Sequence, residues 1–232
     1  MEQLKHTLPT MTGKEKNIGF AYLVFQLFFL PYLIQGLSRV LPIFLSETLI
    51  NFLYFSVNFF SVIAIFSKFF KKSFLRAYRF PTDICAAAGI GFLTYWLCTI
   101  VISTLTQILF PNFVNINDSQ IISILGDYPL LMFLGTVIFA PVAEEVLHRG
   151  LVFGTLFQKN ITFAYGASAL LFAAIHVMQY IGLYSPGYLL LAFVQYLPAG
   201  IVLAWAYQRS GCIVAPILIH AINNLIAISL TR

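Results

Sequence analysis

Residues 129–147 read PLLMFLGTVIFAPVAEEVL, an apolar run that carries no charge until two adjacent carboxylates, Glu144 and Glu145. As a helix this run is about 28 Å long, close to the roughly 30 Å hydrocarbon core of a bilayer. Six more segments have the same character: 18–37, 49–67, 84–110, 161–180, 187–208 and 212–230. The chain is therefore predicted to be all-α, a polytopic transmembrane helical bundle of about seven spans. The third segment is long enough to tilt or to project beyond the lipid. A short interfacial helix near 148–158 would make an eighth element.

Composition asks for the same solvent. Of 232 residues, 60% are hydrophobic and 9% are charged, whereas a water-soluble domain carries roughly 25% charged residues. A chain this poor in charge cannot cover itself in water, so the lipid bilayer is its first partner. The 24 phenylalanines suit lipid-facing helix surfaces. The net charge of +5 does not signal nucleic acid, because five of the thirteen basic residues fall together at Lys68, Lys71, Lys72, Arg76 and Arg79. No aromatic-interleaved basic groove accompanies them, and the stretch is expected to be a juxtamembrane basic loop. Cys85, Cys98 and Cys212 lie in apolar segments without metal-site spacing and are read as small packing residues.

Punctuation along the chain fits this division. Asp127 and Pro129 precede the fourth segment, and Ser185 and Pro186 precede the sixth, as a polar cap and a first-turn proline do at helix starts. Gly211 separates the sixth and seventh segments, where glycine stops a helix. Residues 1–17 are polar and read as a cytoplasmic tail. The apolar run after them is too long for a signal-peptide core, so it is read as an uncleaved first span. Residues 18–124 form the N-terminal transmembrane helices and loops, and 125–230 the region that carries chemistry. With seven spans and a cytoplasmic N-terminus, Lys5, Lys14, Lys16, the five basic residues of 68–79, Arg149, Lys159 and Arg209 lie inside. Arg39 and Arg232 lie outside. The positive-inside rule favours that orientation. A compact chain with no organelle signal points to a bacterial plasma membrane.

Ionisable side chains inside membrane helices are costly, about 2.5–3.5 kcal/mol each on insertion scales, and are usually functional. Here they gather in the C-terminal half. Glu145 and Arg149 are four apart and share a helix face, so they can pair. Glu144 points about 100° away and can face a cavity. Pro141 removes a backbone donor just before the pair. Gly150 either ends the helix or admits another backbone. His176 lies in an alanine-rich helix one turn after Phe172, and His220 and Asn224 are again four apart, one turn beyond Pro216, which frees a carbonyl nearby. Each element alone has a plain structural explanation: an ion pair, an interhelical hydrogen bond, packing. Together they offer a base, an orienter and oxyanion donors, which is what peptide hydrolysis needs.

The ordered set Glu144-Glu145…Arg149, Phe172…His176 and His220…Asn224 resembles the CPBP family, the CAAX proteases and bacteriocin-processing enzymes also called the Abi family. The resemblance covers about residues 125–230. It implies an intramembrane endopeptidase, a hydrolase acting on a membrane-associated or lipidated peptide or protein, in peptide maturation, CAAX-type processing or bacteriocin-related processing and immunity. It implies that Glu144 and His176 activate water, that His220 and Asn224 stabilise the oxyanion, and that Glu145 and Arg149 support them. His148 stands where the family often has an aromatic residue. Glu144, His176 and His220 are also a possible zinc set, since one carboxylate and two imidazoles can hold a catalytic zinc. With no HExxH present, metal-free glutamate chemistry is the preferred expectation. The alternatives are a non-catalytic membrane scaffold or regulator of the same fold, and a proton-relaying transporter, for which no inverted repeat is visible.

Overall fold

Thr12 starts the first helix. Its side chain accepts from the Glu15 backbone N–H while Glu15 reaches back to the Thr12 N–H, a reciprocal cap that satisfies two orphan donors. The computed structural model that shows this describes residues 8–40, 45–123 and 128–229. Lys5, Asp127 and Arg232, invoked above, lie outside the described residues. Among those described, the only pairing of strand type is a single bridge between Ile181 and Tyr184.

The elements are α1 (Gly13–Phe28), α2 (Leu30–Val40), α3 (Glu47–Ile65), α4 (Ser67–Arg79), α5 (Pro81–Leu109), α6 (Ile116–Ser123), α7 (Pro129–Phe157), α8 (Ile161–Val177), α9 (Pro186–Ser210) and α10 (Val214–Ser229). Five are long and apolar enough to cross a membrane: α3, α5, α7, α9, and α8 with the short turn that continues it to Tyr180. The pair α1 and α2, bent by 53° between them, makes a sixth if the two together form one broken span rather than a re-entrant loop. The expected seven or eight spans are therefore more than the structure provides. The segment expected as the seventh span is α10, only 16 residues, about 24 Å. The segment expected as an eighth, interfacial helix is the continuous end of α7.

The expected basic loop at 68–79 is also corrected, because it is the helix α4. Single residues, Phe66 and Phe80, join it to the spans on either side. Phe69, Phe70 and Ser73 form its buried face, while Lys68, Lys71, Lys72 and Arg79 are exposed. Glu15 accepts from the Phe69 backbone N–H at 2.8 Å, and Lys72 donates to the Thr10 carbonyl at 2.7 Å. Arg76 donates to the Ser210 carbonyl at 2.9 Å, and the Cys212 thiol to the Ser73 carbonyl at 3.2 Å. The N-terminus, α4 and the α9–α10 turn are thus fastened together at one end of the bundle. Gly211 in that turn has φ +61°, and a Cβ there would meet the Arg76 guanidinium at 2.5 Å, so glycine serves both the turn and the close approach.

The core is built around α7, whose most apolar 18-residue stretch is 56% buried, against 17% for the corresponding stretches of α3 and α5. Phe139 of α7 stacks on Phe59 and Phe52 of α3, with ring centroids 4.4 and 5.8 Å apart. Helices α8 and α9 approach so closely that a Cβ on Gly200 would collide with the Ala169 Cα. Small residues at such crossings are the usual means by which membrane helices pack.

Candidate active site

Two stretches of π-helix, Leu134–Phe139 and Val146–Phe153, flank the Glu144–Glu145 pair. Pro141 supplies a local reason for the first. In the wider register Ala140 N–H reaches Gly135 O, and the next donor would be residue 141, which has none. The Thr136 carbonyl that it would have bonded instead accepts from Asn224 Nδ2 at 2.8 Å. The proline therefore ties α10 to α7 at the level of the site. Pi-helical turns of this kind often accompany functional sites.

The second π stretch carries Arg149 into the core. Arg149 is fully buried, donates to Glu145 Oε1 at 2.8 Å and lies 4.2 Å over the Phe172 ring. It also lies 3.4 Å from the Ala199 carbonyl and 3.5 Å from that of Gly200 on α9, long contacts of modest strength. The same Glu145 oxygen meets His220 Nδ1 at 2.9 Å. One carboxylate thereby fixes both a guanidinium and an imidazole from another helix. A buried carboxylate needs this company, because an unpaired charge in a low dielectric costs several kcal/mol.

Glu144 is placed differently. About a quarter of its side chain is exposed (26%), and its Oε2 lies 4.0 Å from His220 Nε2. That oxygen has no hydrogen-bond partner among the described residues. His220 thus lies between the two glutamates, with Nδ1 on Glu145 and Nε2 toward Glu144.

Phe172 is the hub of the site. His176 packs on it at a centroid distance of 4.5 Å, His220 at 5.7 Å edge-on, and His148 at 5.9 Å edge-on. His176 Nδ1 meets the Phe172 carbonyl at 2.7 Å, which makes Nδ1 the protonated nitrogen and leaves Nε2 as an acceptor. Counting along α8 puts His176 near the far end of its span, remote from His220. The structure brings both rings to Phe172, and the depth of α10 shows how. Gly211, Cys212 and Ile213 are all buried, so α10 begins below the surface of the bundle and carries His220 inward.

All the residues singled out in the sequence, Glu144, Glu145, Arg149, His176, His220 and Asn224, lie on the three helices that meet here. Other expectations change. Gly150 neither ends α7 nor admits a backbone; the Met11 and Phe69 side chains occupy the space a Cβ would need. Pro216 sits in the first turn of α10, and the Cys212 carbonyl nearby accepts from Ser210 Oγ and the Ala215 N–H. Among the described residues, no three His, Cys, Asp or Glu side chains are gathered so as to hold a metal ion. As arranged here, Glu144, His176 and His220 are not gathered closely enough to form a three-ligand zinc set.

The sequence reading missed several neighbours. Tyr196 of α9 stacks on His176 with centroids 4.2 Å apart, and its hydroxyl donates to Asn115 Oδ1 at 3.0 Å. Asn115 in turn donates to Gln195 at 2.8 Å. Between α1 and α3, Tyr54 donates to Gln26 at 3.1 Å and Tyr22 to Asn58 at 2.9 Å. Tyr54 lies within electrostatic reach of Glu144. Polar side chains buried in an apolar bundle were a usable signal for Gln26 and Asn58; an aromatic stack such as Tyr196 leaves none.

Comparison with known proteins agrees with the motif reading. Residues 126–226 match the family described as type II CAAX prenyl endopeptidase Rce1-like. The chain is 29% identical over 144 residues to UPF0177 protein YxdF of Lactococcus lactis subsp. lactis, covering 56% of this chain and 73% of that protein. It is 27% identical over 110 residues to the candidate membrane peptidase YdiL of Bacillus subtilis, covering 47% of this chain and 40% of that protein. No solved structure matches it. Through residues 126–226, less than half of its length, this membrane chain is similar to the Rce1-like, CPBP family of CAAX-type intramembrane proteases.

Proposed function

We propose that the chain is an intramembrane endopeptidase in which Glu144 is the general base. The observation that carries this reading is the division of labour between the glutamates. Glu145 is held through Oε1 by both Arg149 and His220, whereas Glu144, partly exposed, has no side-chain bond of this kind among the described residues, and its Oε2 faces His220 Nε2 across 4.0 Å. A water hydrogen-bonded to Glu144, with a second hydrogen accepted by His176 Nε2, is positioned as a nucleophile. Glu144 takes its proton as the oxygen attacks the peptide carbonyl, and passes it to the leaving amine as the C–N bond breaks. The tetrahedral oxygen is stabilised by His220 Nε2–H and by the second N–H of the Asn224 amide. With Nδ1 held on Glu145, the His220 ring is oriented with Nε2 toward Glu144 and the substrate.

Glu144 lies mid-way along α7, about 22 Å from Pro129 and about 20 Å from Phe157 along the helix axis. The scissile bond is thus near the middle of the bilayer. A substrate held there is a membrane-associated or lipidated peptide, extended so that its backbone can reach the site. CAAX-type processing, peptide maturation and bacteriocin-related processing all supply such substrates. The basic ends of the helices, at α4, Lys159 and Arg209, favour the orientation with the N-terminus in the cytoplasm, in a bacterial plasma membrane. The test is cleavage of prenylated and unmodified peptides by purified wild type, Glu144→Gln and His220→Gln, with and without a chelator. Activity that disappears in both variants and survives the chelator supports the metal-free scheme. Variants that cleave as fast as an active wild type remove this scheme, and a folded wild type that cleaves none of the peptides favours a non-catalytic scaffold.

A further inference from the structure

The basic helix α4 is not used by the chemistry above, and its surroundings say what it meets. It is joined to α3 and α5 through the single residues Phe66 and Phe80, so both its ends are held at the membrane boundary and it must lie along the interface. Its buried face, Phe69, Phe70 and Ser73, is turned to the bundle. The rest is exposed and divided into sectors by the helical period. Phe74 and Tyr78, four apart, make one edge and are 61% and 86% exposed. Lys68, Lys72 and Arg79 make another edge, about a third of a turn away. Lys71 and Leu75 lie between them, both exposed. An aromatic edge beside a basic edge is the pattern of a helix seated at the headgroup–acyl boundary.

We infer that α4 is a binding surface for anionic phospholipid headgroups, with Phe74 and Tyr78 set among the upper acyl chains and Lys68, Lys71 and Arg79 on the phosphates. Charge complementarity selects the anionic lipid over a zwitterionic one. The helix is rigidly held for this role, since Glu15, Thr10, Ser210 and Cys212 all bond to it. Arg76 turns inward to the Ser210 carbonyl and takes no part. The inference does not rest on the peptidase reading and is tested without it.

The experiment is a titration of the full chain, purified in neutral detergent, with dioleoylphosphatidylglycerol and separately with dioleoylphosphatidylcholine, followed by native mass spectrometry. Each basic side chain near a charged surface contributes roughly fivefold to binding. The wild type is expected to prefer phosphatidylglycerol, and Lys68→Gln/Lys71→Gln/Arg79→Gln to lose on the order of tenfold or more of that preference. Raising the salt should weaken the wild-type preference as well. Arg39→Gln, an exposed charge on α2 outside this helix, should leave it unchanged, which excludes a general net-charge effect. A thermal melt equal to wild type establishes that the triple variant is folded; if it is not, Lys71→Gln alone, at an exposed position with no internal bond, is expected to lose roughly fivefold. No preference in the wild type, or the same preference in folded variants, would overturn the inference.

Discussion

Replacing Arg149 by methionine keeps most of the side-chain volume and removes the guanidinium. Glu145 would then remain buried at 0% exposure with only His220 against it. Breaking a buried pair by removing one partner costs about 3–5 kcal/mol. The contact over Phe172 at 4.2 Å adds up to about 2 kcal/mol where water is excluded, whereas the carbonyl contacts at 3.4 and 3.5 Å add little. The single variant is therefore expected to lose about 4 kcal/mol, on the order of 10 °C in melting temperature for a chain of this size. Glu145→Gln/Arg149→Met removes both charges and is expected to recover a large part of the loss. Arg149→Lys should recover less, because an ammonium cannot both pair with Glu145 and lie flat on Phe172. Thermal unfolding of wild type, Arg149→Met, Glu145→Gln, the double variant and Arg149→Lys in one detergent measures the cycle. A strictly additive double variant, or an Arg149→Met protein as stable as wild type, would refute the argument that this pair organises the site.

Asn224→Ala loses one interhelical bond to Thr136 O, and should cost only about 1 kcal/mol in stability but about 10²–10³ in peptide cleavage; a melt and a rate on the same preparation separate the two. Gly200→Ala places a Cβ against the Ala169 backbone and should destabilise, whereas Gly166→Ala, with open space around it, should be neutral or stabilise by up to about 1 kcal/mol; matched melts of the two variants test the sign. For topology, single cysteines at Lys71 and Asn112, both exposed, are introduced into a chain lacking its three native cysteines. An impermeant thiol reagent should label position 112 in intact cells and position 71 only after lysis, and the reverse pattern would invert the proposed orientation.

Much of the helical content was legible from the apolar runs, because a lipid solvent imposes a length that sequence states directly. The turn signals at Ser185–Pro186 and Gly211 were local and are present in the structure, with Ser185 capping Tyr188 N–H and Gly211 in the left-handed region. The span count was less legible. Hydropathy counts apolar residues whether they face lipid or core, so α10, begun from a buried turn, looks like one more crossing. The helix α4 looks like a loop in the sequence because its basic residues lower hydropathy without breaking the helix. At the site, the i,i+4 pairs Glu145–Arg149, Phe172–His176 and His220–Asn224 announce themselves by spacing. Their meeting at Phe172, the bond from Asn224 to the carbonyl left by Pro141, and the stack of Tyr196 on His176 depend on how three helices pack, which no single segment encodes.

The most direct test of the central claim is the single-turnover cleavage rate of a prenylated CAAX-type peptide by reconstituted wild type and Glu144→Gln, an isosteric change that removes the base while leaving Glu145, Arg149 and His220 in place. The account predicts a loss on the order of 10²-fold or more with an unchanged melting temperature. A Glu144→Gln protein that cleaves the peptide at the wild-type rate would contradict it.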